Sequence, residues 1–212
     1  DKLDFIAGQL VQIHAHIPGE TSPVVRNYSV ASWPDGTNKF ELIVTYLEGG
    51  KMSEYLFNYI QVGDEILYKG PMGIFTLPKD ITDRDIYFVS TGSGVSPFRS
   101  MINYIYENKV PFKNIKLFFG TRRTEDIVYK EEFEYLEKEL KNFEYIPVLS
   151  REKDTGFKEG HVHEHYLKLI DESPNKPLVY FCGWNIMIDQ GRQELKKRDF
   201  QMMKDIRVEI FG

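Results

Sequence analysis

A β-rich half followed by an α/β half is the fold class this sequence predicts, on three observations. Up to about residue 80, short apolar runs are separated by Pro/Gly/Asp/Asn clusters at hairpin spacing, the pattern of a small barrel or sandwich. From Asp85 onward, compact apolar runs alternate with longer segments of helical character, the pattern of βαβ units around a parallel sheet. Between the two rhythms lies the polar stretch "LPKDITDRD", residues 77–85, which sets the expected division at 1–82 and 83–212.

In the first half the expected strands are "GQLVQIHAHI", "KFELIVTYL" and "GDEILYKG". "WPDGTNKF" between them reads as a turn, because Pro34 presets φ and Gly36 admits positive φ. In the second half "DIYFVS", "IKLFFG", "FEYIPVLS", "PLVYFCG" and "DIRVEIFG" read as strands. "YKEEFEYLEKELKN" and "NIMIDQGRQELKKRD" read as the helices that cover them.

Composition narrows the function classes. The 212 residues are 42% hydrophobic and 28% charged, which is a globular balance and not a disordered one. Net charge is −4 before Arg84/Asp85 and −1 after it, with no basic stripe, so nucleic acid is not an expected partner. A single cysteine, Cys182, rules out an internal disulfide and any four-cysteine metal site within this chain. A reducing cytosol fits that usage best. No run approaches the roughly 18 apolar residues of a membrane span. The chain opens Asp1-Lys2-Leu3-Asp4 without methionine, which reads as something other than a native start.

"IYFVSTGSGVSPFRSM" is the most informative stretch. A strand runs into Gly92-x-Gly94, and Pro97 stands where a helix begins, a position that tolerates proline. Glycines at such a turn let backbone approach a diphosphate, and the helix N-terminus offers free N–H groups. Pro97 stands where the third glycine of the usual dinucleotide fingerprint would be, and a tight turn without ligand is the alternative. A nucleophile elbow fails because Thr91 and Val95 flank Ser93, and no Gly-Lys-Ser/Thr loop exists. "HVHEH" places His161 and His165 on one helical face but has no HExxH spacing, so no metal is expected; His14 and His16 on a strand carry less still. "RNYSVAS", residues 26–32, reads by itself as a strand end and turn.

Taken in order, Arg26-x-Tyr28-Ser29, Gly50-Lys51-Met52-Ser53, Thr91-Gly92-Ser93-Gly94-Val95-Ser96-Pro97, Cys182-Gly183 with Met187, and Val208-Glu209-Ile210-Phe211 form a succession. That succession resembles the ferredoxin–NADP reductase family of flavoproteins, across essentially the whole chain. The resemblance implies a six-stranded antiparallel Greek-key barrel binding FAD, its first strand missing here, followed by a Rossmann-like parallel α/β domain binding NADP(H). It implies that Arg26 meets the flavin's phosphate, Tyr28 packs on the isoalloxazine and Ser29 bonds near N5. Ile43, Val44 and Thr45 would line the ring edge, Gly50 to Ser53 (with Lys51 and Met52) would hold the diphosphate, and Phe211 would cover the flavin face. Ser29, Cys182 and Glu209 are the expected catalytic set. Thr91, Gly92, Ser93, Gly94, Pro97, Thr121, Arg122, Ser150, Arg151, Cys182, Gly183 and Met187 are the expected NADP contacts. The implied reaction moves hydride between NADP(H) and FAD and passes electrons singly to ferredoxin, flavodoxin or another acceptor protein. An NADH-using reductase component of an oxygenase or flavohaemoglobin-type protein, and a non-catalytic redox-sensing subunit, are the alternatives. Trp184 after Cys-Gly, and Phe211 followed by Gly212, depart from the family pattern. The missing first strand suggests a cropped chain or one part of a larger polypeptide.

NADP over NAD is expected from the loops. An acidic residue about 20 positions beyond the glycines would select NAD. After the second parallel strand this chain instead has Thr121-Arg122-Arg123, with Glu125-Asp126 only later, and after the next strand Ser150-Arg151-Glu152, where a hydroxyl and a guanidinium suit a phosphate. His161 stands where a further basic residue is expected.

Overall fold

The computed structural model describes residues 3–211, with the side chain of Phe211 outside the described set. Two sheets account for most of it. In the first half, β1 (Leu10–Ala15) lies between β2 (Val24–Ser29) and β3 (Leu67–Met72), both antiparallel to it. Alternation in β1 buries Val11, Ile13 and Ala15 on one face, where Phe5, Val30 and Met52 join them. Helix α1 (Lys51–Asn58) closes part of that face through Met52.

The first half is antiparallel as expected, and only its strand count differs from the six of the barrel. Three strands form ladders among the described residues, and "KFELIVTYL" contributes only an isolated bridge, Val30 to Leu42. Its apolar residues at 42–44 still turn inward without ladder partners, and the Pro34 and Gly36 turn region leads into an irregular run. "GDEILYKG" begins its strand at Leu67, because residues 62 and 63 are occupied by a turn.

In the second half, β4 (Ile86–Thr91), β5 (Ile115–Thr121), β6 (Phe143–Leu149), β7 (Lys158–Glu159), β8 (Leu178–Trp184) and β9 (Ile206–Phe211) form one parallel sheet in the order β7-β6-β5-β4-β8-β9. Helices α2 (Ser96–Asn108) and α3 (Lys130–Glu139) cover one face, and α4 (Val162–Glu172) and α5 (Asn185–Lys196) cover the other. Along β4 the side chains divide between them: Ile86 and Phe88 pack with Phe98, Met101 and Phe133, while Tyr87 and Val89 pack with Tyr166 and Ile188. A strand buried on both faces has to be apolar throughout, which is why these runs were legible as parallel strands.

The chain builds β4, β5 and β6 outward in one direction, then crosses to place β8 on the other side of β4. Loops leaving β4 and β8 therefore diverge at their C-terminal ends, and a crevice opens there. Gly92, Gly94, Cys182 and Gly183 all lie at that point.

The halves share a core. Ala7 and Phe75 from the first half sit in the cluster beneath α2, with the Phe75 ring 5.8 Å from Phe98 and 5.2 Å from Tyr180. The Tyr180 hydroxyl donates to the Thr76 carbonyl at 2.8 Å. Arg84, at the boundary, donates to the carbonyls of Lys176, Pro177 and Lys204 and to Asp205 Oδ1, at 2.7 to 3.2 Å. Asp205 is nearly buried, so Arg84→Ala would strand a carboxylate; with the guanidinium partly exposed, a loss of about 1–2 kcal/mol is expected. Urea unfolding of the two proteins measures it, and equal midpoints would contradict it.

Candidate active site at the junction of the two sheets

Three polar side chains converge between the sheets. Ser29 is the last residue of β2 and is buried. Cys182 and Glu209 are register partners in the parallel pair β8 and β9, so their side chains share one face. The Ser29 hydroxyl donates to Glu209 Oε1, across 180 positions of sequence. The Cys182 thiol lies 3.9 Å from the same oxygen. Ser90 on β4 is in register with Cys182 and fully buried, and its hydroxyl has no hydrogen-bond partner among the described residues.

The electrostatics follow from burial. Glu209 is pushed up to about 7 because desolvation disfavours its charge more than the Ser29 and Cys182 donors favour it. Cys182 is raised well above its ordinary value, first by burial and then by the neighbouring Glu209. It is therefore a thiol at neutral pH, a weak donor and not a thiolate nucleophile. The cluster can hold, release or reposition one proton near pH 7.

Toward the first sheet, Arg26 is exposed, with Nη1 2.8 Å from the Val25 carbonyl and no carboxylate partner among the described residues. Tyr28 is half-buried, and burial raises its phenol despite Arg26 nearby. Gly50 is the N-cap of α1 and supplies no side-chain acceptor, leaving the helix N–H groups available. Val44 lines an apolar cleft of about 400 Å³ with Ile13, Leu42, Leu56, Phe57 and Ile66. Ile43 packs toward the core under α2, and Thr45 is exposed. Two expected contacts sit differently: Met52 is core, and the Ser53 hydroxyl is turned into its own loop, bonded to the Leu47 and Gly50 carbonyls at 3.1 and 3.0 Å. Lys51 pairs with Glu20 at 2.7 Å.

At the crevice of the second sheet the two glycines serve different needs. Gly92 takes φ +55, and a Cβ there would meet only the Trp184 indole nitrogen, at 3.9 Å. Gly94 is instead a packing glycine, since a Cβ there would lie 2.2 Å from the Cys182 carbonyl. Ser93 accepts a hydrogen bond from the Ser96 hydroxyl at 2.7 Å through its carbonyl, and Pro97 occupies the first turn of α2. The Thr91 hydroxyl accepts the Trp184 N–H at 3.2 Å, which joins the loops after β4 and β8. Gly183 follows Cys182 with its backbone against Thr91. Met187, in the first turn of α5, packs in the core under α4 and α5. Trp184, 62% exposed, stands at the rim.

The loops after β5 and β6 run side by side. The Arg151 N–H donates to the Arg122 carbonyl, and the Ser150 N–H to the Thr121 carbonyl, both at 3.0 Å. Arg122 and Arg151 are exposed and carry no ion pair among the described residues. Glu152 is occupied by Thr124, whose N–H and hydroxyl donate to it at 2.7 and 2.6 Å. His163 and His165 bond to the Tyr166 hydroxyl and the Glu159 carbonyl.

Residues 88–193 match the family described as oxidoreductase NAD-binding domain, and residues 1–77 the family described as oxidoreductase FAD-binding domain. Ferredoxin–NADP reductase B of Sorangium cellulosum is 36% identical over 195 residues, which cover 89% of this chain and 78% of that protein. The chain belongs to the ferredoxin–NADP reductase family. The phenol hydroxylase P5 protein of Acinetobacter pittii is 33% identical over 99% of this chain, and this chain spans 58% of it. Among solved structures, the Amycolatopsis cytochrome P450 reductase GcoB superposes with a TM-score of 0.85 at 27% identity, over 100% of this chain and 62% of that one. A ferredoxin–NADP reductase from Neisseria gonorrhoeae with bound FAD and NADP superposes at 0.82, over 97% of this chain and 87% of that one, and at 24% identity it shows the fold.

The residues present fit both cofactors of this reductase family. An exposed guanidinium without a carboxylate partner among the described residues, and a helix N-terminus without a side-chain cap, each suit a diphosphate, and the half-buried Tyr28 suits a flat ring. Neither Arg99 nor Ser90 stands in a motif that marks it as functional. Arg99 carried no signal beyond its place after Pro97, and Ser90 none at all.

Proposed function

We propose that this chain moves a hydride between NADP(H) and FAD and passes electrons singly to a protein acceptor such as ferredoxin or flavodoxin. One observation carries the reading: Ser29 of the first sheet bonds Glu209 of the second, whose same oxygen lies 3.9 Å from the Cys182 thiol, joining what would be the flavin side to the nicotinamide side. FAD supplies the hydride and one-electron chemistry when bound. The chain's own residues would bind and orient. Arg26 and the α1 N-terminus would hold one diphosphate, the Gly92 turn and the α2 N-terminus the other. Ser29 and Cys182 would donate toward the reacting edge, and Glu209 would hold the proton. We assign residues 1–82 to the flavin and 83–212 to the dinucleotide. Anaerobic titration of FAD-loaded protein with NADPH tests the reading: bleaching of the flavin, with turnover of ferricyanide or cytochrome c, is expected. A folded protein that takes up no FAD, or holds FAD that NADPH and NADH leave oxidised, would refute it. Binding without turnover would favour the redox-sensing alternative.

A second reading, the reductase part of an oxygenase system, is supported by relatives of that kind. The anthranilate 1,2-dioxygenase electron transfer component of Acinetobacter baylyi is 30% identical over 89% of this chain, which spans 53% of it. The acceptor would then be a neighbouring redox centre.

NADPH preference rests on Arg151 and Arg122, brought together by the Arg151 N–H bond at 3.0 Å, with Glu152 engaged elsewhere. Arg151→Ala is expected to lower kcat/KM for NADPH by roughly 1.5–3 kcal/mol while leaving NADH nearly unchanged. Equal losses with both cofactors would show that Arg151 does not read the 2′-phosphate.

A further inference from the structure

Arg99 is the most heavily engaged polar side chain outside the cluster just described. It lies on α2, directly after Pro97 and Phe98, and its side chain is 7% exposed. Nε and Nη2 grip Glu132 of α3, each at 2.8 Å, as a two-pronged fork. Asn103 holds the same carboxylate at 2.7 Å. Nη1 reaches into the first half, 2.5 Å from Glu41 Oε2 and 3.2 Å from the Ala31 carbonyl. The guanidinium lies 3.9 Å from the ring centre of Tyr129 and 5.6 Å from that of Trp33, one aromatic from each half.

A guanidinium buried this way needs every partner it has, because an unpaired charge there is costly. Its partners are not arranged for stability of one half. The Ala31 N–H donates to the Glu41 carbonyl at 2.8 Å, so Nη1 closes onto a unit already tied to itself. Ala31 is two residues beyond Ser29, and Val30 between them is pinned by an N–H bond to the Gln9 carbonyl at 2.9 Å. The other end of the grip is α2, whose first turn carries the Gly92 to Val95 loop.

We propose that Arg99 is a positioning residue: by clamping the 29–31 segment onto α2 it sets the approach of Ser29 to Glu209, and with it the alignment of the two cofactors. The proposal rests on the reductase reading. Misplacement by about 1 Å can lower a rate by about 100-fold without loss of binding, so the clamp acts on the bound complex and not on affinity.

The test uses the FAD-loaded protein with Arg99→Met, Arg99→Lys and Glu41→Gln. The Glu41 side chain is 59% exposed, so its substitution leaves the fold intact. Anaerobic stopped-flow separates the limiting rate of flavin reduction from the half-saturating NADPH concentration. For Arg99→Met the limiting rate is expected to fall about tenfold or more, with half-saturation within about twofold. Arg99→Lys, a point charge without the fork, should recover only part, and Glu41→Gln should show a smaller loss of the same kind. Amide exchange at Val30 and Ala31 should quicken in all three while β6 is unchanged. An unchanged limiting rate in folded Arg99→Met, or a loss confined to half-saturation, would overturn the proposal. If NADPH and NADH fail to reduce even the unsubstituted protein, the reductase reading falls. Exchange in Glu41→Gln still decides the clamp, faster exchange at 30 and 31 supporting it and unchanged exchange ending it.

Discussion

NADPH-driven ferricyanide reduction by Glu209→Gln is expected to be about 100-fold slower than by the unsubstituted protein at pH 7, because electrons that leave singly leave the hydride's proton behind, and this is the low end of what a positioned proton-transferring group contributes. Glutamine keeps the size and can still accept from Ser29, but it cannot hold and release a proton. In the unsubstituted protein the rate should change with pH around a midpoint near 7, where Glu209 titrates, and glutamine should abolish that midpoint. Stability should move the other way. Because the folded carboxyl is raised from 4.5 to about 7, the native state favours the protonated form. Below pH 4.5 the group is protonated folded and unfolded and costs nothing; between 4.5 and 7 the unfolded chain ionises first and stability falls. Glu209→Gln escapes that loss and should be about 3 kcal/mol more stable than the unsubstituted protein at pH 8, with the gap closing toward pH 4.5. Urea unfolding at the two pH values measures it. A rate profile indifferent to the substitution, or a gap that grows as pH falls, would show that Glu209 does not carry this proton.

Gly94→Ala should be among the most damaging single methyls in the molecule. The added carbon would lie 2.2 Å from the Cys182 carbonyl oxygen, 2.5 Å from its carbon and 2.7 Å from Gly183 Cα. All three are backbone atoms of a central strand, so no side chain can swing away. Relief requires α2 and its leading turn to move off β8, which would open the dinucleotide crevice. A loss of about 3 kcal/mol in unfolding free energy is expected, at the upper end for overpacking, with NADPH binding weakened at least as strongly as NADH binding. Gly92→Ala is the control, because its Cβ would meet only the Trp184 indole nitrogen at 3.9 Å. It would suffer mainly from its φ of +55, about 1 kcal/mol. Gly94→Ala with unaltered stability would mean that the close approach of the turn to β8 is not required.

Periodicity and punctuation carried the second half of the fold. Strands buried on both faces must be apolar along their whole length, so "DIYFVS" and "PLVYFCG" were readable without their neighbours, as was the α2 start at Pro97. The first half was less legible. "KFELIVTYL" has strand composition but makes one bridge, because composition reports a preference for burial while a ladder needs a partner strand at the right distance. Motif order likewise named Ser29, Cys182 and Glu209 and the family to which the chain belongs, since Ser29 ends β2 and Cys182 and Glu209 lie in the C-terminal halves of strands that their local sequence announces.

Local sequence does not carry distance between elements. That Glu209 is buried enough to titrate near 7, that Gly94 serves packing while Gly92 faces the crevice, that Met187 packs in a core and that the Ser53 hydroxyl bonds into its own loop all depend on which elements pack together. Arg99 is the clearest case. In the sequence it is one arginine in a helix; in the fold it meets Ala31, Glu41 and Glu132, 68, 58 and 33 positions away. Composition and spacing determine which elements form, because those are local free energies. The charge state, the alignment and the clamp arise from burial and contact among residues far apart in sequence, and those exist only once the two sheets have closed on a common core.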